Sequence, residues 1–220
     1  MTSLRYRAVL FDLDGTLVDS YTALTEAVNH ARRTHGLHEL STVRIRELVG
    51  EGVERLLQRA FERTELSSSI LQAFESRYDD ICCAESRVLA EVEATLHELS
   101  ELGVAMAVCT NKPTVFSKKI LDFLGLSRHF RAIVGPDVAG ARKPEARHLT
   151  FTLESVDCPR EEALFVGDMP LDVRAARNSG IDVAVVATGS STREQLTAAD
   201  PDHFLERFSD LLKIVRREAA

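Results

Sequence analysis

Asp12 and Asp14 stand one residue apart at the end of the apolar run Ala8-Val9-Leu10-Phe11. Aspartate is a poor strand residue and costly to bury, so two of them at a strand's mouth point to chemistry. Three other apolar runs lead to polar groups. Ala105-Met106-Ala107-Val108-Cys109 leads to Thr110-Asn111-Lys112, a short run at 131–135 to a loop carrying Arg142-Lys143, and Ala163-Leu164-Phe165-Val166 to Gly167-Asp168, with Asp172 behind. On parallel strands these ends share one rim. Carboxylates crowded there need a cation, and a ligand set of oxygens without Cys or His suggests Mg²⁺. The metal would offset the repulsion between a carboxylate and a phosphate. Lysine and a threonine hydroxyl would hold phosphoryl oxygens, and an aspartate could attack phosphorus to form an aspartyl-phosphate.

The elements that must position these residues are legible from about residue 90 onward. Val92, Leu96, Leu99 and Leu102 share a helical face that stops at Gly103. Helices are expected at 114–124, 145–156 and 171–180, with strands between them and a last helix over about 203–217. Strands apolar on both faces, alternating with helices, indicate a parallel sheet covered on both sides. The stretch 19–87 shows only helical periodicity, as in Val53, Leu56, Leu57, Ala60 and Phe61. The expected fold is therefore α/β: a Rossmann-like core at 1–18 and 88–220 with an inserted all-helical cap at 19–87. An insertion so close to the end of the first strand belongs over the sheet's carboxyl edge, where open α/β sheets bind ligands.

With 27 Lys+Arg against 34 Asp+Glu the net charge is -7, and no basic stripe stands out. That speaks against a nucleic-acid partner. No run suits a membrane span or a secretory leader, so a cytoplasmic protein without membrane partners is expected, as monomer or homodimer. Cys82, Cys83, Cys109 and Cys158 lack metal-site spacing and read as reduced core fillers.

The four groups, taken in order, resemble the four motifs of the haloacid dehalogenase-like phosphatase superfamily: Asp12-Leu13-Asp14-Gly15-Thr16, then Thr110, Lys143 and Gly167-Asp168-Met169-Pro170-Leu171-Asp172. The helical insertion after the first motif matches that superfamily's first cap type. The resemblance implies Asp12 as nucleophile and Asp14 as the acid that protonates the leaving alkoxide and later the base that activates water. It implies Thr110 and Lys143 as ligands of the phosphoryl group. Mg²⁺ would be held by Asp12, the Asp14 carbonyl and Asp168, with Asp172 holding a bound water or orienting Lys143. Gly15 would allow the turn, and Thr16 would fix the Asp14 loop. An acid at position 14 argues against the dehalogenase branch, which has no alkoxide to protonate.

The stretches Thr110-Asn111-Lys112-Pro113, 48–61 and 121–130 resemble the phosphoglycolate phosphatase group. Two departures stand out. Leu89-Ala90-Glu91-Val92 replaces that group's Tyr-Pro-Gly-Val, and Lys143-Pro144-Glu145-Ala146 replaces Lys-Pro-x-Pro. Asn111, Gly50 and Gly52 are further substrate-binding candidates, although Glu51 between the glycines works against an anion. Arg46, Arg55 and Lys112 are candidate partners for a substrate carboxylate, against a solvated helix face for each arginine. His30, His35 and His38 read as a solvated helix end. The expected activity is Mg²⁺-dependent hydrolysis of a small phosphate monoester, similar to phosphoglycolate. A phosphomutase or pyrophosphatase of the same fold would share these residues. A phospho-receiver is shorter, lacks a cap and places its aspartate on a later strand. A non-catalytic binding protein fits poorly, because no member of the acid–metal–lysine set is missing.

Overall fold

The computed structural model describes residues 4–216. Six strands form one parallel sheet: β1 (Ala8–Phe11), β4 (Ala105–Cys109), β5 (Ala132–Val134), β6 (Ala163–Gly167), β7 (Asp182–Val186) and β8 (His203–Leu205). Their spatial order is β5-β4-β1-β6-β7-β8. Two short strands, β2 (Val18–Asp19) and β3 (Arg87–Val88), pair antiparallel.

Both faces of the sheet's centre are dry because β1, β4 and β6 carry no polar side chain and are buried at every position. Val9, Phe11, Met106, Val108, Leu164 and Val166 face one cluster. Ala8, Leu10, Ala107, Cys109, Ala163 and Phe165 face the other. Successive side chains of a strand point to opposite faces, so a fully buried strand reads as an unbroken apolar run. Helices α5 (Val92–Glu101), α6 (Thr114–Phe123) and α11 (Leu211–Val215) pack on the first face. On the second lie α8 (Ala146–Glu154), α9 (Pro170–Ser179) and α10 (Arg193–Ala198), with the single turn α7 (Pro136–Ala139) after β5.

Between β2 and β3 the chain makes only helices: α1 (Tyr21–Thr34), α2 (Thr42–Leu48), α3 (Val53–Phe61) and α4 (Ser68–Ile81). The ribbon β2/β3 joins this insertion to the sheet, so the chain leaves and returns at one place. The Ser41 hydroxyl caps α2 by accepting from Arg44 N. The apolar face of α3, with Leu56, Leu57, Ala60 and Phe61, is buried in the same cluster as the first sheet face.

The tail differs from the single helix expected. Phe204 lies in edge strand β8, because Asp202 clamps Val183 through its backbone N–H (3.0 Å) and its carboxylate (2.8 Å). Helical spacing applies only beyond Phe208, through one 3₁₀ turn into α11. Arg216 follows that helix, and Arg217 falls outside the described residues. The cysteines are free, and Cys82 is buried, its thiol pushed up to about 11 by burial. No described helix is long and apolar enough to cross a membrane.

Buried His148 on α8 sets a pH dependence. Its Nε2 lies 3.3 Å from the Val134 carbonyl and donates to it, while Nδ1 has no partner among the described residues. Burial, with Lys143 adding, pushes the imidazole down from 6.5 to about 4. The unfolded chain therefore binds the proton first as pH falls. This contribution is complete above the unfolded pKa and is lost between about pH 6.5 and 4, by ~3 kcal/mol. Urea unfolding across that range should show a shallower acid loss in His148→Gln than in the wild type. Parallel slopes would contradict the assignment.

Candidate active site

The carboxyl ends of β1, β4 and β6 meet where the sequence places Asp12, Thr110 and Asp168. After β1 the chain turns sharply, with Leu17 and Val18 N–H both donating to the Leu13 carbonyl. Gly15 sits in this turn at φ +84°, and a Cβ there would come within 2.6 Å of Asp168 Oδ2. Only glycine lets the two loops approach so closely. The Thr16 hydroxyl donates to Asp168 Oδ1 (3.2 Å) and so ties the Asp14 loop to the acid after β6.

Asp12, Asp168 and Asp172 are buried, and each offers one carboxylate oxygen to a group whose three atoms lie within 4.8 Å of one another. Lys143, 2% exposed, binds Asp12 Oδ1 (2.8 Å) and Asp172 Oδ1 (2.7 Å). The other Asp172 oxygen accepts from Asp168 N (3.1 Å) and Met169 N (3.0 Å). Asp172 is therefore part of the acid cluster, and it also orients Lys143. Burial raises Asp12 to about 6 against the pull of Lys143. Burial, with Asp172 and Asp12 alongside, holds Asp168 well above the usual carboxylate range. Burial opposes the Lys143 charge, yet Asp12 and Asp172 outweigh it and raise its pKa. Three acids thus face a single ammonium. A hard divalent cation fits this all-oxygen donor set and its excess of negative charge.

Asp14 points elsewhere. Ser20 Oγ donates to Asp14 Oδ1, and Lys112 Nζ lies 2.7 Å from Oδ2. The turn at Gly15 separates the two aspartates of the first motif, one facing the acid cluster and the other facing α4. Thr110 is buried, and its hydroxyl accepts from Lys112 N (3.2 Å). Asn111 is among the residues that line the site cavity, and its side chain is engaged by neighbouring backbone. Its Nδ2 donates to the carbonyls of Gly50 (3.0 Å) and Lys143 (3.1 Å), and Oδ1 accepts from Lys143 N (2.8 Å). It braces the Lys143 loop and ties that loop to the helical insertion.

A cavity of about 40 Å³ is lined by Asp12, Asp14, Thr110 and Lys112 from the core and by Gly50, Gly52, Val53, Leu56 and Tyr78 from the insertion. Gly50 packs on Met169, where a Cβ would meet Sδ at 2.4 Å. Gly52 caps α3, and Glu51 turns its charge onto Arg59. Arg46 stacks over the Tyr21 ring at 4.2 Å, and exposed Arg55 bonds Gln58. Neither arginine lines the cavity, so Lys112 is the carboxylate candidate that reaches it. Among the three histidines, His35 bonds Ala31 O and Ser69 Oγ. Sequence reasoning missed Ser20, Tyr78 and Met169. Tyr78 shares a helical face with Phe74 and reads as core.

The family model described as haloacid dehalogenase-like hydrolase matches residues 9–186, from β1 to β7. The chain belongs to that family. It is a phosphatase of the group, 34% identical over 215 residues to a phosphoglycolate phosphatase of Photorhabdus laumondii (95% of this chain, 92% of the relative). A phosphoglycolate phosphatase of Agrobacterium fabrum is likewise 34% identical over 222 residues, covering 96% and 95%. Among solved structures, a predicted phosphoglycolate phosphatase from Haemophilus somnus superposes with a TM-score of 0.86 at 29% identity, covering 96% of this chain and 98% of that one.

Against this hydrolase group the two sequence departures have local explanations. Glu91 stands where the group's usual pattern has glycine and keeps a left-handed φ of 66°. Its carboxylate accepts from the Arg207 guanidinium and from Ser209 N (3.2 Å), which pull it down to about 2. These bonds offset the backbone strain and tie the entry of α5 to the segment before α11. Ala146 replaces a proline at the first residue of α8. A first-turn N–H lacks a helical partner in any case, so either residue fits there.

Proposed function

We propose that this enzyme is a Mg²⁺-dependent phosphomonoesterase that hydrolyses a small anionic ester, phosphoglycolate or a close relative, through a phospho-Asp12 intermediate. The observation that carries the reading is the small cavity that Asp12 and Asp14 line, with a volume of about 40 Å³. That volume corresponds to a few waters at roughly 10–15 Å³ each. It favours a leaving group of a few atoms over a hexose. The name shared by the relatives points to the same size of substrate.

Asp12 attacks phosphorus, with its carboxylate held by Lys143. Lys143 and Thr110 steady the phosphoryl oxygens as charge develops on them. Asp14, held apart by Ser20 and Lys112, gives a proton to the departing alkoxide and then takes one from the water that hydrolyses the aspartyl-phosphate. Asp12, Asp168 and the Asp14 carbonyl would hold Mg²⁺, which when bound neutralises the repulsion between the nucleophile and the phosphate. The insertion α1–α4 acts as a cap that closes the rim and keeps bulk water out.

Phosphate release should be measured on phosphoglycolate, hexose phosphates, nucleotides and pyrophosphate, with Mg²⁺ and with chelator. The expected result is a Mg²⁺-dependent maximum on phosphoglycolate. A maximum on pyrophosphate, or conversion of a hexose 1-phosphate to its isomer, would replace this reading with pyrophosphatase or phosphomutase.

A further inference from the structure

We propose that Lys112 and Tyr78 form a carboxylate-reading subsite, and that its distance from Asp14 selects esters whose carboxylate sits one carbon from the phosphate oxygen. The proposal rests on the phosphatase reading above and adds the residues that choose its substrate. Lys112 is the one cation among the residues lining the cavity. Its Nζ lies 2.7 Å from Asp14 Oδ2 and donates to Tyr78 Oη at 2.6 Å. An ammonium has three protons and a phenol has one. Two of the Lys112 protons are used, and the Tyr78 hydroxyl proton has no acceptor among the described residues. Two donors are therefore free side by side, the number that one carboxylate accepts in a paired hydrogen bond.

The surroundings favour that use. Leu24, Val49, Val53, Leu56 and Phe116 add apolar surface to the lining, and an anionic tail has no second cation to pair with among the lining residues. Tyr78 is held rigidly, stacked on Phe74 (5.4 Å) and edge-on to Phe116 (5.1 Å). Burial works against the charge on Lys112, but Asp14 and Tyr78 outweigh it, so the ammonium is retained. The acid that must reach the ester oxygen and the ammonium that reads the tail are direct neighbours. That spacing suits a single carbon between the ester oxygen and the carboxylate. Tyr78 comes from α4 in the insertion and Lys112 from the loop after β4, so the tail also bridges the two parts.

The test compares phosphoglycolate with ethyl phosphate, which lacks the carboxylate, and with 3-phosphooxypropionate, which is one methylene longer. The wild type should prefer phosphoglycolate over both in kcat/KM by about 10- to 100-fold, the range for hydrogen bonds to a charged group. In Lys112→Met that preference should collapse to within about threefold. Tyr78→Phe keeps the ring packing and should weaken the preference by about fivefold, through KM. Lys112→Arg should restore part of it. An equilibrium arm, read by calorimetry with Mg²⁺ present, compares 3-phosphonopropionate with propylphosphonate. The first should bind tighter to the wild type, and Lys112→Met should erase the gap.

If Lys112→Met lowers all three esters equally and keeps the binding gap, Lys112 only positions Asp14 and the subsite is refuted. If the wild type hydrolyses ethyl phosphate as well as phosphoglycolate, tail reading is refuted while the phosphatase reading stands. If no ester is hydrolysed, the phosphatase reading fails, and the calorimetric gap alone decides the subsite.

Discussion

Asp12→Asn should abolish turnover, with kcat reduced at least about 10⁴-fold, or roughly 5.5 kcal/mol of barrier. Asparagine keeps the size of the side chain, and its oxygen can still face Lys143 Nζ, which lies 2.8 Å from Asp12 Oδ1. It lacks the anionic oxygen that the proposed mechanism uses to attack phosphorus. The fold should survive, because the variant removes one negative charge from a buried cluster of three acids. Thermal unfolding should therefore occur at the same temperature as the wild type or higher. Acid quench during turnover of ³²P-labelled substrate should retain label on the wild type and none on the variant. Activity at a tenth of wild type with no trapped label would sink the phospho-Asp12 pathway. The position of Asp12 at about 6 adds a pH limb. In the metal-free protein the nucleophile is ionised above that value and lost below it. A bound cation moves the limb to lower pH.

The legible part of the site was its chemistry, and the illegible part was its hydrogen bonding. Apolar runs that stop at Asp12, Cys109 and Gly167 show which ends carry polar groups, and parallel strands must bring such ends together. Side-chain partners depend on loops whose approach no spacing reveals. Thr16 follows the Gly15 turn, and only the fold shows that its hydroxyl ties this loop to Asp168 (3.2 Å). Asn111 reads as a ligand group beside Thr110, yet the nearby backbones of Gly50 and Lys143 take all of its side-chain contacts. Lys112 and Tyr78 lie 34 residues apart, and a tyrosine on the apolar face of α4 carries no signal that its hydroxyl reaches an ammonium. Strand β8 was hidden for another reason. Three residues are too few for alternation to compete with a helical pattern that Phe204 joins by accident.

Lys143→Met is expected to damage stability and activity through one atom, and Mg²⁺ should separate the two effects. Lys143 Nζ is the fixed cation between Asp12 (2.8 Å) and Asp172 (2.7 Å), with the side chain 1% exposed. Methionine fills the same space beside Phe165, whose ring centroid lies 5.3 Å from the ammonium. The variant thus loses charge more than packing. Breaking a buried pair by removing one partner costs about 3–5 kcal/mol, because the remaining charges have nothing to offset them. For a chain of this length that corresponds to a Tm lower by roughly 2–4 °C per kcal/mol in the metal-free protein. Mg²⁺ bound to the folded state would add stability by mass action, and its proposed ligands Asp12, Asp168 and the Asp14 carbonyl are still there to hold it. Titrating Mg²⁺ should therefore recover much of the lost Tm. Turnover should stay about 10²–10³-fold low at saturating Mg²⁺, since the donor proposed for the phosphoryl oxygens is gone. A variant as stable as the wild type without metal would mean that the acids carry protons rather than charge. Recovery of turnover along with Tm would mean that Lys143 serves only to hold the acids together until the metal arrives.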